Sequence, residues 1–175
     1  VSFCTGHALS GLEAFAGLPG STGGAVYMNA RCFDVSVSDV LSEVRYIDCE
    51  TLEEKTYRFS ASDWDYKISP FQNTPRIVTC AVFKTRKLSE DKKNEIAERC
   101  KAYVAERSAK GHYKFPSAGS VFKNNRAFGK PSGKIIDEAG LKGIRSGGAQ
   151  VAPWHGNFIV NTGGATAADV RDLTD

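Results

Sequence analysis

Two alternating runs separated by a short turn fix how the middle of this chain can fold. In "SEVRYID" (residues 42–48) the apolar Val44 and Tyr46 alternate with charged neighbours, and "EEKTYRF" (53–59) alternates in the same way. A period of two predicts half-buried strands. The "DCET" between the runs supplies turn residues, so they are expected to pair as a hairpin. "RIVTCAVFK" (76–84) is rich in β-branched residues and predicts a third strand.

Helical spacing appears next. Ser89 is placed to cap the clearest helix, with Glu90 and Asp91 in its first turn. Ile96, Cys100, Tyr103 and Val104 form one stripe, the opposite face is charged, and the helix should stop near Gly111. Residues 1–16 predict a helix over part of their length, with Gly11 a weak point. Beyond 111 the texture changes. Pro116 and Gly119 precede a short strand expected at 120–123. "SGKIIDEAG" predicts a helix closed by Gly140. "GIRSGGAQV" and "NFIVNTG" read as strands, and a helix begins at Thr166. A boundary near 108–116 therefore separates two units.

With 175 residues, 41% hydrophobic and 25% charged, the chain has the make-up of a globular protein that needs no staples. The net charge of +3 is spread along the sequence. That argues against a nucleic-acid footprint and leaves a modest attraction for anionic small molecules. No apolar run is long enough for a membrane span, and no secretory leader opens the chain. The chain lacks an initiator Met and opens within an expected helix, which suggests a piece of a longer protein. Cys4, Cys32, Cys49, Cys80 and Cys100 are odd in number and contain no CxxC. They read as free thiols of a reducing cytoplasm. The scattered His7, His112 and His155 suggest no metal site.

The segment "GLPGSTGGAVYMNA" (17–30) is the first candidate for binding. It is neither a Walker loop nor GxGxxG, and a structural turn would account for its glycines. Gly20, Gly23 and Gly24 lack Cβ atoms, so their backbone can lie close to a flat ring or a pyrophosphate. The small Ser21, Thr22 and Ala25 keep that side open.

In order along the chain stand "GLEAFAGLPGSTGGAVYMNA", "YKISPFQ", "PSAGSVFKN" and "AGLKGIRSGGAQV…FIVNTGGATAADV". Together they closely resemble the UDP-N-acetylenolpyruvoylglucosamine reductases, the MurB flavoproteins of peptidoglycan synthesis. The likeness runs from about residue 10 to the end and is weak at 42–64 and 85–112. It implies an α+β fold in which residues 1–108 are the second half of a vanillyl-alcohol-oxidase-type FAD-binding domain. Residues 109–175 would be most of a small α+β substrate-binding domain. FAD would lie against the backbone of Pro19, Gly20, Ser21, Thr22, Gly23 and Gly24, with Asn29 adding a polar contact.

The resemblance also implies a cytoplasmic reductase, taken as monomeric, that needs no nucleic acid and no membrane. NADPH would reduce FAD, and the hydride would pass to the enolpyruvyl group of UDP-N-acetylglucosamine enolpyruvate to give UDP-N-acetylmuramate. The enolate so formed needs a nearby cation and then a proton. Ser120 matches the family's proton donor. Lys67 stands where the family has arginine and offers one compact charge in place of a planar fork. Lys123, Asn124, Lys142 and His155 are the expected contacts to the UDP-sugar. In a strand through 120–123, Ser120 and Asn124 would share a face. Arg31 stands where the family commonly has glycine, and Asn125 departs from the usual "KNP". The family's upstream glycine loop and downstream glutamate have no counterpart here, so 1–175 alone is expected to be inactive and to carry little flavin. The competing reading, favoured by Lys67 and Arg31, is a non-catalytic UDP-sugar or nucleotide-binding module of the same fold.

Overall fold

The computed structural model describes all residues, Val1–Asp175. They pack as two compact units, Val1–Val104 and Ala105–Asp175. The division falls inside a helix, a few residues before the boundary expected from the sequence.

The first unit opens with α1 (Ser2–Gly6), β1 (Leu9–Ser10) and a 3-10 turn (Glu13–Phe15), so the expected helix is short and broken. Gly11 explains the break. Its φ is +132°, and a Cβ there would meet the Lys84 carbonyl at 3.3 Å. Then come α2 (Thr22–Tyr27), β2 (Arg31–Cys32), β3 (Val35–Ser36) and α3 (Val37–Val40). The predicted sheet follows as β4 (Leu41–Asp48), β5 (Glu53–Arg58) and β6 (Arg76–Phe83). It is antiparallel with order β5-β4-β6, the hairpin partner on one edge of β4 and the third strand on the other. β7 (Arg86–Lys87) pairs with β1. Ser89 precedes a 3-10 turn that runs into α4 (Lys93–Ala109). Of the predicted stripe, Ile96 is fully buried, Cys100 and Tyr103 are half-buried, and Val104 is exposed.

The core of this unit gathers Val26, Val37, Leu41, Val44, Tyr46 and Phe71. Phe71 is wholly buried and meets Tyr46, Tyr57 and Trp64 edge-on at 5.6–6.3 Å. Burying such a ring contributes about 2–3 kcal/mol. It also fixes the loop between β5 and β6 that carries Lys67.

The second unit holds β8 (Ser117–Ser120), α5 (Ser132–Glu138), β9 (Arg145–Ser146), β10 (Ala149–Val151), β11 (Phe158–Asn161) and α6 (Ala167–Asp172). The sheet order is β8-β11-β10-β9. "GIRSGGAQV" is a hairpin rather than one strand, because Gly147 takes a φ of +48° and turns the chain. The first strand also differs from expectation. It ends at Ser120, where the sequence predicted 120–123. Past that point the Asn157 side chain replaces the ladder: the Phe122 N–H donates to Asn157 Oδ1 and Asn157 Nδ2 donates to the Phe122 carbonyl, both at 2.8 Å. Asn124 thus lies beyond the strand, and the shared-face argument for Ser120 and Asn124 does not apply. α5 closes at Gly140 with a φ of +72°, as predicted. Thr166 caps α6 in a capping box with Asp169.

Candidate functional site

In the first unit the glycine-rich segment leads into α2. Ser21 caps that helix by accepting from the Gly24 N–H at 3.1 Å. A Cβ on Gly24 would press on this cap, 3.2 Å from Ser21 Oγ, whereas one on Gly23 would make ordinary contact with Val78 of β6. Gly20 has a φ of +123° and open space where a Cβ would stand. Pro19, Gly20, Ser21, Thr22 and Gly24 are exposed, which leaves a strip of small residues with its backbone open at Gly20. Its glycines therefore divide between roles: Gly24 serves the helix cap, and Gly20 leaves backbone accessible. The strip fits a flat cofactor.

The "YKISPFQ" loop is tied to the C-terminal end of that same helix. Ser69 Oγ donates to the Tyr27 carbonyl at 2.7 Å, and Gln72 Nε2 donates to it at 2.9 Å. Asn29 Nδ2 donates to the Asp65 carbonyl at 2.9 Å, while Asn29 Oδ1 accepts from the Ser38 N–H at 3.0 Å. Asn29 is buried, and both ends of its amide brace the protein. So the fold ties the Lys67 loop to one end of the small helix whose other end carries the glycine-rich segment, although the two lie far apart in sequence. Arg31 pairs with Asp34 at 2.9 Å.

In the second unit Ser120 ends β8 opposite Phe158, with its side chain exposed. Lys123, Asn124 and His155 gather at the start of α5. Asn124 Oδ1 accepts from the Ser132 N–H at 2.9 Å, and Ser132 Oγ donates to the Lys123 carbonyl at 3.0 Å. His155 lies beside Gly133 and meets the Phe158 ring at a tilt of 36° with centroids 4.2 Å apart, and its Nδ1 accepts from the Asn157 N–H. Burial pushes the His155 imidazole below its usual pKa. His112, 6.2 Å away between centroids, is lowered by burial and by the charges of Arg107, His155 and Lys110. Lys142 is elsewhere: it follows the other end of α5, roughly 10 Å along the helix, and pairs with Asp137 at 2.7 Å. An apolar pocket of about 350 Å³ is lined by Val121, Phe122, Leu141, Ile144 and Leu173 among others.

The sequence reading passed over Ser69, Gln72 and Asn157. The first two sit inside a motif already singled out. Asn157 had a weaker signal, a polar residue at the head of the buried run Phe158–Val160.

Residues 111–175 match the model of the UDP-N-acetylenolpyruvoylglucosamine reductase C-terminal domain. The reductase of Treponema denticola is 55% identical over 97% of this chain. The chain belongs with the UDP-N-acetylenolpyruvoylglucosamine reductases. The reductase of Borreliella burgdorferi is 46% identical, again over 97% of the chain. The crystal structure of MurB from Thermus caldophilus superposes with a TM-score of 0.84 at 36% identity, covering 99% of this chain and 61% of that one. The mixed α/β architecture with open sheets is thus that of MurB. The chain spans about half the length of the curated relatives it matches, 55% in both reductases named here. No helix is long and apolar enough to cross a membrane.

Proposed function

We propose that this chain forms part of an NADPH-dependent UDP-N-acetylmuramate dehydrogenase of cytoplasmic peptidoglycan synthesis, with Val1–Val104 contributing to its FAD-binding domain and Ala105–Asp175 to its substrate domain. The backbone of Pro19–Gly24 would hold FAD, which when bound would supply the hydride for the enolpyruvyl double bond of the UDP-sugar. Lys67 presents a positive charge to the carboxylate and the enolate oxygen, lowering the cost of the developing charge. Ser120 gives a proton to the carbon centre. Its hydroxyl is a weak acid, but an enolate is a strong base and the strand end holds the donor in place. Lys123, Asn124 and His155 contact the UDP-sugar from the start of α5, and Lys142 reaches it from the other end.

The observation that carries this reading is the docking of the Lys67 loop on the C-terminal end of α2, the short helix whose N-terminal end carries the exposed backbone strip. The test uses the full-length protein. Purified yellow, it should consume NADPH when given the enolpyruvyl UDP-sugar and accumulate the lactyl product. Tight binding of UDP-sugar by a colourless protein that never takes up flavin would instead support the non-catalytic binding module. On residues 1–175 alone, a flavin spectrum near zero is expected.

A further inference from the structure

The turn that carries Lys67 breaks a local rule. Asp65 and Ile68 exchange backbone hydrogen bonds, Ile68 N–H to the Asp65 carbonyl at 3.0 Å and Asp65 N–H to the Ile68 carbonyl at 3.4 Å. Tyr66 and Lys67 are the two central residues of this tight turn. Lys67 has a φ of +59°, while Tyr66 stays at negative φ. That is the pattern of a type II turn, whose third residue is normally glycine or asparagine. A long side chain at positive φ is strained, and such strain persists only where the surroundings enforce it.

The enforcing groups are on the page. Gln72 Nε2 donates to the Lys67 carbonyl at 3.0 Å and to the Tyr27 carbonyl at 2.9 Å. Both acceptors are carbonyl oxygens, so the amide must point its NH2 toward them. One side chain therefore joins the strained residue to the last turn of α2. Ser69 is buried and repeats the link to Tyr27, Asn29 holds Asp65, and buried Phe71 anchors the loop from the core. Lysine carries a single charge on a flexible stem, so its reach depends on where its backbone is set.

We propose that Gln72 is a positioning residue for the reaction: it holds Lys67 in its left-handed conformation and fixes its ammonium relative to the backbone strip at the start of α2. This rests on the reading of Lys67 as the cation that meets the developing negative charge.

The test is a double-mutant cycle in the flavin-loaded, full-length reductase, with Gln72→Met removing both donated bonds and Lys67→Asn removing the charge. Gln72→Met should lower kcat about tenfold or more, the scale of a misplaced catalytic group, with a smaller change in KM and an unaltered flavin spectrum. In the Lys67→Asn background the same change should alter kcat less than about twofold, because there is no ammonium left to misplace. An equal loss in both backgrounds overturns the proposal and makes Gln72 a general structural brace. If Lys67→Asn leaves kcat intact, the reading of Lys67 fails, and the proposal with it.

Discussion

Glu13 sits where α4 meets the opening segment, and its ionisation should be measurable as stability. Its carboxylate accepts from Ser10 Oγ, the Gly11 N–H and Arg99 Nη2, each at 2.7 Å. Burial works to raise its pKa, but the Arg99 guanidinium and the other donors together overcome this and bring it from 4.5 to about 2. A folded pKa below the unfolded value means stability that is fully present above pH 4.5 and lost as pH falls through 2. A drop of that size converts at most to about 3 kcal/mol. Arg99 keeps 45% of its side chain in solvent, which screens the pair, so we expect about 2 kcal/mol. Glu13→Gln should therefore destabilise the first unit by about 2 kcal/mol at pH 7. Urea melts can isolate that unit, because Trp64 lies in it and Trp154 in the other; a Trp154→Phe background leaves one reporter. Between pH 7 and pH 3.5 the gap between wild type and Glu13→Gln should shrink by more than half, roughly 60%. A gap that stays constant down to pH 3.5, or no gap at pH 7, would refute the reasoning.

Other consequences concern the second unit. A Cβ on Gly148 would collide with the Gly163 carbonyl oxygen and stand 2.5 Å from the Ala165 nitrogen, both backbone atoms. Gly148→Ala should thus cost about 3 kcal/mol or more, seen as loss of the Trp154 transition in a thermal melt. His112 and His155 both titrate below 6.5, with burial the first cause in each. Their depressed folded pKa values mean that this unit keeps its full stability above pH 6.5 and loses it as pH falls through the folded values. Trp154-monitored melts should show that loss, and replacing both histidines with glutamine should flatten the slope.

Some of this was legible because the relevant physics is local. The alternation in β4 and β5, the turn residues between them and the β-branched run of β6 each state their own structure. So do Gly140 after α5 and Thr166 before α6, since a cap needs only neighbours in sequence. The misplaced end of β8 had the opposite origin. The bonds that replace its ladder come from Asn157, which is remote in sequence, and no window around 120–123 contains them. The hairpin β9–β10 was read as one strand because two adjacent glycines do not declare which of them will turn. Lys67 was legible as a residue type. Its left-handed backbone and the Gln72 bond to its carbonyl were not, because strain is a property of the folded surroundings rather than of the letters. Asn29 shows the same limit: its polar side chain looked available, and the fold spends both ends of it on neighbouring segments.

Ser120→Ala in the flavin-loaded, full-length protein gives the sharpest test of the whole account. NADPH should still bleach the yellow colour at the wild-type rate, while conversion of the enolpyruvyl UDP-sugar falls by about 10²-fold or more, the scale of a lost general acid. Undiminished formation of the lactyl product by Ser120→Ala would contradict it.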